Sequence, residues 1–130
     1  LNDQWSIFAN FTHLTAKITE ATEEADSGAR VGLVPRNQFS IWTRFAVSPH
    51  WGLAAGVHGE SEKYTSYSNN VTLPQYVVGD LMAWYQTDKF RVQANLNNVS
   101  DKHYFPTASS DYEIMPGEPR NLMVTLGFNY

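Results

Sequence analysis

The sequence predicts an all-β chain of antiparallel, up-and-down strands, and three observations predict it. Six segments alternate apolar and polar residues with a period of two, the signature of a strand with two unlike faces. The connections between these segments are long and short in strict turn. Composition agrees: over 130 residues the chain is 14% aromatic and only 17% charged, aromatic-rich and charge-poor for a soluble domain.

The first segment runs from Trp5 to Ile18, with Trp5, Ile7, Ala9 and Phe11 on one face and Ser6, Asn10 and Thr12 on the other, where Phe8 intrudes. In the second, Phe39, Ile41, Phe45 and Val47 oppose Gln38, Ser40 and Arg44, and Trp42 joins the polar side. The third opens at Trp51 and sets Leu53, Ala55 and Val57 against Gly52, Gly56, His58 and Glu60. The fourth, roughly Gln75 to Gln86, sets Val77, Leu81, Ala83 and Tyr85 against Asp80, Met82 and Trp84. The fifth is the most regular: Phe90, Val92, Ala94 and Leu96 alternate with Arg91, Gln93, Asn95 and Asn97. The sixth sets Leu122, Val124, Leu126, Phe128 and Tyr130 against Asn121, Thr125 and Asn129. Segments of about 10 residues are long enough for tilted strands to cross a bilayer.

Ser48-Pro49-His50 and Thr87-Asp88-Lys89 are the short connections; Thr19 to Asn37, Ser61 to Pro74 and Lys102 to Arg120 are the long ones. Outer-membrane β-barrels have this rhythm, with short periplasmic turns and long external loops. Trp5, Trp51, Tyr85, Phe90 and Tyr130 fall at the short-turn ends, where amphipathic rings would form a girdle at headgroup level. The competing reading makes them core aromatics of a soluble sheet. Six strands are fewer than the roughly 8 that begin the membrane-barrel series, and an open sheet leaves two unpaired edges. The expectation is therefore a fragment with its upstream portion missing, consistent with a start at Leu1-Asn2-Asp3-Gln4-Trp5 that has neither basic nor apolar leader features.

Several functions are disfavoured. A net charge of −4 offers no basic footprint for nucleic acid. With no cysteine, disulfides, thiolate metal sites and cysteine nucleophiles are excluded. His13, His50, His58 and His103 lie far apart and form no ligand pair at helical spacing. The acidic run Glu20, Glu23, Glu24, Asp26 lacks the spacing of a calcium loop and reads as a solvated external loop. Neither a nucleophile elbow nor a phosphate-cradling glycine loop is present, so no enzyme is expected.

Four motifs carry a family resemblance. Val34-Pro35-Arg36-Asn37-Gln38-Phe39-Ser40-Ile41-Trp42-Thr43 resembles the "VPxHxxSLWT" segment of TonB-dependent siderophore receptors. Leu73-Pro74-Gln75-Tyr76-Val77-Val78-Gly79-Asp80-Leu81 is similar to their "LPGY…VD" strand opening. Asn95-Leu96-Asn97-Asn98-Val99-Ser100-Asp101-Lys102-His103-Tyr104 resembles "NxxNLFDKxYY", and Gly117-Glu118-Pro119-Arg120-Asn121-Leu122-Met123 resembles "GxPRNxM". The motifs stand in the family's order, and the resemblance spans about Trp5 to Tyr130. Gly79 departs from the pattern, where a strand-weakening glycine suggests a local bend or close packing.

The resemblance implies that residues 1–130 are the C-terminal segment of such a receptor, about the last six strands of a 22-stranded barrel, with plug domain and N-terminal strands absent. It implies a bacterial outer-membrane transporter that binds a ferric siderophore and imports it with energy from TonB, which it reaches through the absent N-terminal region. This segment alone would not be competent for transport. No cofactor is implied, iron entering only as the ferric siderophore ligand. Candidate contacts are aromatic and polar: Tyr64, Tyr67, Tyr104, Phe105, Tyr112 and Met115 in the long connections, with Trp42, Arg44 and His58 on the polar face. For each, packing within its own surroundings is the competing reading. Leu122, Val124, Leu126, Phe128 and Tyr130 resemble the terminal strand recognised by the barrel-assembly machinery, and the same residues would face lipid. Two alternatives stand beside this reading: a small soluble β-barrel that binds a ligand, and a structural outer-membrane barrel segment without one.

Overall fold

Period-two alternation becomes six long strands in a computed structural model that describes residues 3–23 and 25–129. The strands are β1 (Trp5–His13), β2 (Asn37–Ala46), β3 (Trp51–Glu60), β6 (Tyr76–Gln86), β7 (Phe90–Asn97) and β10 (Asn121–Phe128). They form one antiparallel sheet in the order β1-β2-β3-β6-β7-β10, so each borders only its neighbours along the chain. Two short hairpins interrupt the sequence: β4 (Lys63–Tyr64) with β5 (Thr72–Leu73), and β8 (Thr107–Ser110) with β9 (Glu113–Met115).

Register explains why the two faces stay distinct. Ile41 lies opposite Ala9 and Val57, Leu81 opposite Ala55 and Leu96, and Val124 opposite Ala94. Every ladder thus sets apolar residues beside apolar ones, since a slip of one residue would turn a strand's whole apolar set to the other side. The apolar face is not a core. Leu122 is 68% exposed and Phe128 66%, and Ile7, Phe11, Ile41, Leu53, Val77 and Leu81 are exposed too. An apolar surface this extensive is a liability in water and is what a bilayer requires.

Both short turns are closed by a hydroxyl. The Ser48 Oγ accepts the His50 and Trp51 N–H groups at 3.1 and 3.3 Å, and the Thr87 Oγ1 accepts those of Lys89 and Phe90 at 3.3 Å. At that end four of the five aromatics expected there come together. Trp5 pairs with Phe45, Trp51 with Tyr85 and Phe90 with Phe128, and the rings of Tyr85 and Phe90 lie 6.0 Å apart. The Trp5 indole N–H donates to the Thr43 hydroxyl at 2.6 Å on the apolar face. Tyr130, also expected in the girdle, and Glu24 of the acidic run lie outside the described residues.

Three expectations need correction. The first strand ends at His13 rather than Ile18, because its partner β2 begins at Asn37, opposite His13. Beyond that point the chain pairs with its own return: Ile18 N–H donates to Ala29 O at 2.8 Å and Val31 N–H to Ala16 O at 3.1 Å. Gly79 brings neither a bulge nor close packing: the β3–β6 register is continuous through it, and a Cβ there would meet only the Gly56 carbonyl, at 3.7 Å. Its carbonyl instead accepts the Val99 N–H at 2.9 Å, where β7 has left the sheet. Finally, the second and third long connections are not plain loops, since each holds a short hairpin.

Candidate functional site

The polar face is built around glycines that leave room for rings. Trp42 lies opposite Gly56, and a Cβ on Gly56 would stand 1.7 Å from the Trp42 ring. Trp84 lies opposite Gly52, where a Cβ would stand 2.2 Å from that ring. Both indoles therefore lie flat over bare backbone. The Arg44 guanidinium sits 4.1 Å above the Trp84 ring, a cation–π stack that leaves Trp84 only 4% exposed. Towards the outer end, His58 Nδ1 stands 3.6 Å from the Asp80 carboxylate, edge-on to Tyr76 at 6.5 Å, and the Tyr76 ring meets that of Tyr104 at 4.8 Å. Lower on the wall Arg91, Gln93 and Asn95 form a ladder, at 3.0 and 2.9 Å. The wall thus presents aromatic faces, two guanidiniums and an amide row, groups suited to orienting a polar organic ligand.

All three long connections leave the sheet at one end, and they brace one another. The Asn69 side chain bonds both the N–H and the carbonyl of Arg30, at 2.8 and 2.9 Å, while Leu33 N–H donates to Tyr64 O at 2.7 Å. Asp111 accepts hydroxyl bonds from Thr65, from Ser66 at 2.7 Å and from Ser68 at 2.9 Å. These donors hold the Asp111 carboxyl below the usual carboxylate range. Lys63, buried at the base, bonds Glu60 and donates to Pro106 O at 2.6 Å.

Three of the recognised motifs dock on one another. Asn98 is 2% exposed with a φ of 52°, a left-handed conformation that asparagine tolerates. Its amide donates to Lys102 O at 2.9 Å and to Glu118 O at 3.0 Å, and its oxygen accepts the Lys102 N–H at 2.9 Å. Asp80 accepts the Asn98 N–H, and Asp101 accepts that of Arg120, both at 2.9 Å. The Tyr104 ring fills the space over Gly117, where a Cβ would stand 2.1 Å away.

The expected site residues fall into two groups. Trp42, Arg44 and His58 share the polar face on β2 and β3, at neighbouring registers. Tyr64, Tyr67, Tyr112 and Met115 lie in the outer connections; Arg30 stacks over Tyr64 at 5.3 Å, Tyr67 and Met115 are exposed, and Tyr112 is 99% exposed. Tyr67 and Tyr112 flank the Asp111 hydroxyl cluster from opposite sides of the sequence. Reading the sequence missed Trp84, Asp80, Asn98 and Asp111 as organisers. The Trp42–Gly56 pair was within reach, because the short turn at residues 47–50 fixes it, whereas the Trp84–Gly52 pair spans the long connection between β3 and β6. Among the described residues, no group of three or more His, Asp or Glu side chains is placed to hold a metal ion. An open hollow of about 730 Å³ lies on the apolar face, floored by Ala55, Ala83 and Ala94.

Known proteins share this arrangement. Residues 1–99 match the family described as TonB dependent receptor-like, beta-barrel. The solved siderophore receptor PiuA from Acinetobacter baumannii superposes with a TM-score of 0.85 at 28% identity, over all of this chain and 20% of that one. The ferrioxamine receptor of Yersinia enterocolitica is 26% identical over the whole chain and 19% of its own length. The ferripyoverdine receptor of Pseudomonas aeruginosa, solved with ferripyoverdine bound, is 27% identical with a TM-score of 0.73, over 97% of this chain and 17% of that one. The chain spans about a fifth of the length of the curated relatives it matches. With the family match over residues 1–99, more than half of its length, the chain belongs to the TonB-dependent receptor family, as part of its β-barrel.

Proposed function

We propose that this chain is the C-terminal wall, about the last six strands of a 22-stranded plugged barrel, of an outer-membrane receptor that imports a ferric siderophore. One observation carries the reading: an apolar face, exposed on five of the six long strands and half-buried on β7, backs a polar face of stacked indoles, guanidiniums and amides. Acyl chains would cover the first and fill the hollow over Ala55, Ala83 and Ala94. The second would line the lumen. A soluble binding barrel would reverse this, with its apolar residues inside and dry.

In this reading the ferric chelate is the substrate and meets the wall through Trp42, Arg44 and His58, and the external mouth through Tyr67, Tyr112 and Met115. Tyr64 offers only the face that Arg30 leaves open. TonB acts through a plug and N-terminal region outside this chain. Leu122, Val124, Leu126 and Phe128, together with Tyr130, present the strand that the barrel-assembly machinery reads; β10 pairs only with β7 among the described residues and offers a free edge for it.

The test is uptake of radioactive iron by cells lacking their own siderophore receptors and expressing the intact receptor. A ferric hydroxamate, a ferric catecholate and a mixed-type chelate are supplied in turn, with and without TonB. TonB-dependent uptake of at least one is expected. Uptake of none, by a receptor shown to be folded in the outer membrane, would overturn the proposal.

A further inference from the structure

Asp111 joins two connections that are 43 to 46 residues apart in sequence. Its Oδ1 accepts the Thr65 and Ser66 hydroxyls, and its Oδ2 accepts that of Ser68. A carboxylate suits this task because both oxygens accept, whereas an amide in its place would turn an NH₂ donor towards one of the hydroxyls. The segment it grips is already tightly folded. Thr65 N–H donates to Val71 O at 3.0 Å, Ser68 N–H to Ser66 Oγ at 3.3 Å, and Asn69 takes a φ of 56°. The other flank of the segment is held as well. Asn69 is bonded to both backbone groups of Arg30, and the Ser66 backbone lies against Gly32, where a Cβ would stand 2.8 Å away. The segment carrying Tyr67 is thus held between the first long connection and the hairpin carrying Tyr112.

We infer that Asp111 is a positioning residue of the external mouth, a clasp that locks the Tyr67 segment to the β8–β9 hairpin so that Tyr67 and Tyr112 are presented from one braced body. The assignment of those rings to ligand contact rests on the function proposed above; the clasp itself does not. Without Asp111 the hairpin loses its hydrogen bonds to the Tyr67 segment while keeping its own ladder and its attachment through Lys63 to Pro106 O, and the two rings move independently.

The experiment places nitroxide labels at positions 67 and 112 of the intact receptor in outer-membrane vesicles and measures their distance distribution by pulsed electron resonance, with no chelate present. One narrow distance is expected. Asp111→Ala should widen the distribution about two-fold, and Asp111→Asn less, since one acceptor oxygen survives. Removing the donors instead, with Thr65→Val, Ser66→Ala and Ser68→Ala together, should reproduce the widening. Adding Asp111→Ala to that variant should then change nothing further. An unchanged width in Asp111→Ala, or further widening when it is added to the donor-free variant, would overturn the clasp. Because these measurements need no ligand, a receptor that imports no ferric chelate yet shows the coupled widening would refute the functional reading and leave the clasp standing.

Discussion

Val124 and Thr125 are neighbours on β10 and stand at nearly the same depth, yet they point to opposite faces: Val124 lies opposite Ala94 and Thr125 opposite Gln93. Placing arginine at each in turn measures what the two faces meet. Val124 is an exposed apolar side chain near the middle of the strand, so Val124→Arg would set a guanidinium among acyl chains. Near the bilayer midplane that costs about 2–4 kcal/mol, or about 30-fold to several hundred-fold in the ratio of folded to unfolded receptor. Thr125→Arg would join a polar row with Gln93 at hand and should stay within about 0.5 kcal/mol. The assay is guanidinium unfolding of the intact receptor in lipid vesicles, each variant compared at equal slope so that midpoints report stability. A cost at Thr125 equal to or greater than that at Val124 would refute the argument, because it would place water, or a protein interior, against the face assigned to lipid.

Other predictions follow from particular contacts. Gly56→Val should destabilise the receptor by about 1–3 kcal/mol, because its Cβ falls 1.7 Å from the Trp42 ring; pairing it with Trp42→Leu should recover part of the loss in the same unfolding assay. Asn98→Ala leaves two partly buried carbonyls and the Lys102 N–H without their partner and should cost about 1–3 kcal/mol, seen first as faster hydrogen exchange at Lys102. Because its hydroxyl donors depress the Asp111 carboxyl, the clasp is fully present above the ordinary aspartate value of about 3.9 and is lost as pH falls through the lowered one. The 67–112 distance should therefore hold from pH 8 to pH 5 and broaden only below about pH 4; release near pH 6 would point to a histidine instead.

The six long strands were legible because eight to eleven residues give alternation enough repeats to stand out, and because Ser48 and Thr87 mark their turns. The hairpins β4–β5 and β8–β9 were not, since two to four residues carry no period; what holds them is tertiary, as in the anchoring of Lys63 to Glu60 and Pro106. The overrun of the first strand has a different origin: Thr15 to Ile18 still alternate, but Leu14, Ala16 and Ile18 fall on the opposite face from Trp5 to Phe11, a slip of phase after His13 that marks where pairing with Asn37 stops. At the candidate site, Trp42, Arg44 and His58 were readable from the face they occupy. Asp111 was not, because its meaning lies in three hydroxyls more than forty residues away.

The strand order has one more consequence. Since each long strand borders only those next to it along the chain, the wall can be extended hairpin by hairpin, each arrival satisfying one edge and offering the next. Among these six, no strand must wait for a distant partner to be synthesised. In a solvent that cannot hydrogen-bond bare backbone, such stepwise zippering keeps at most two edges open at any stage, whatever the circumference finally reached.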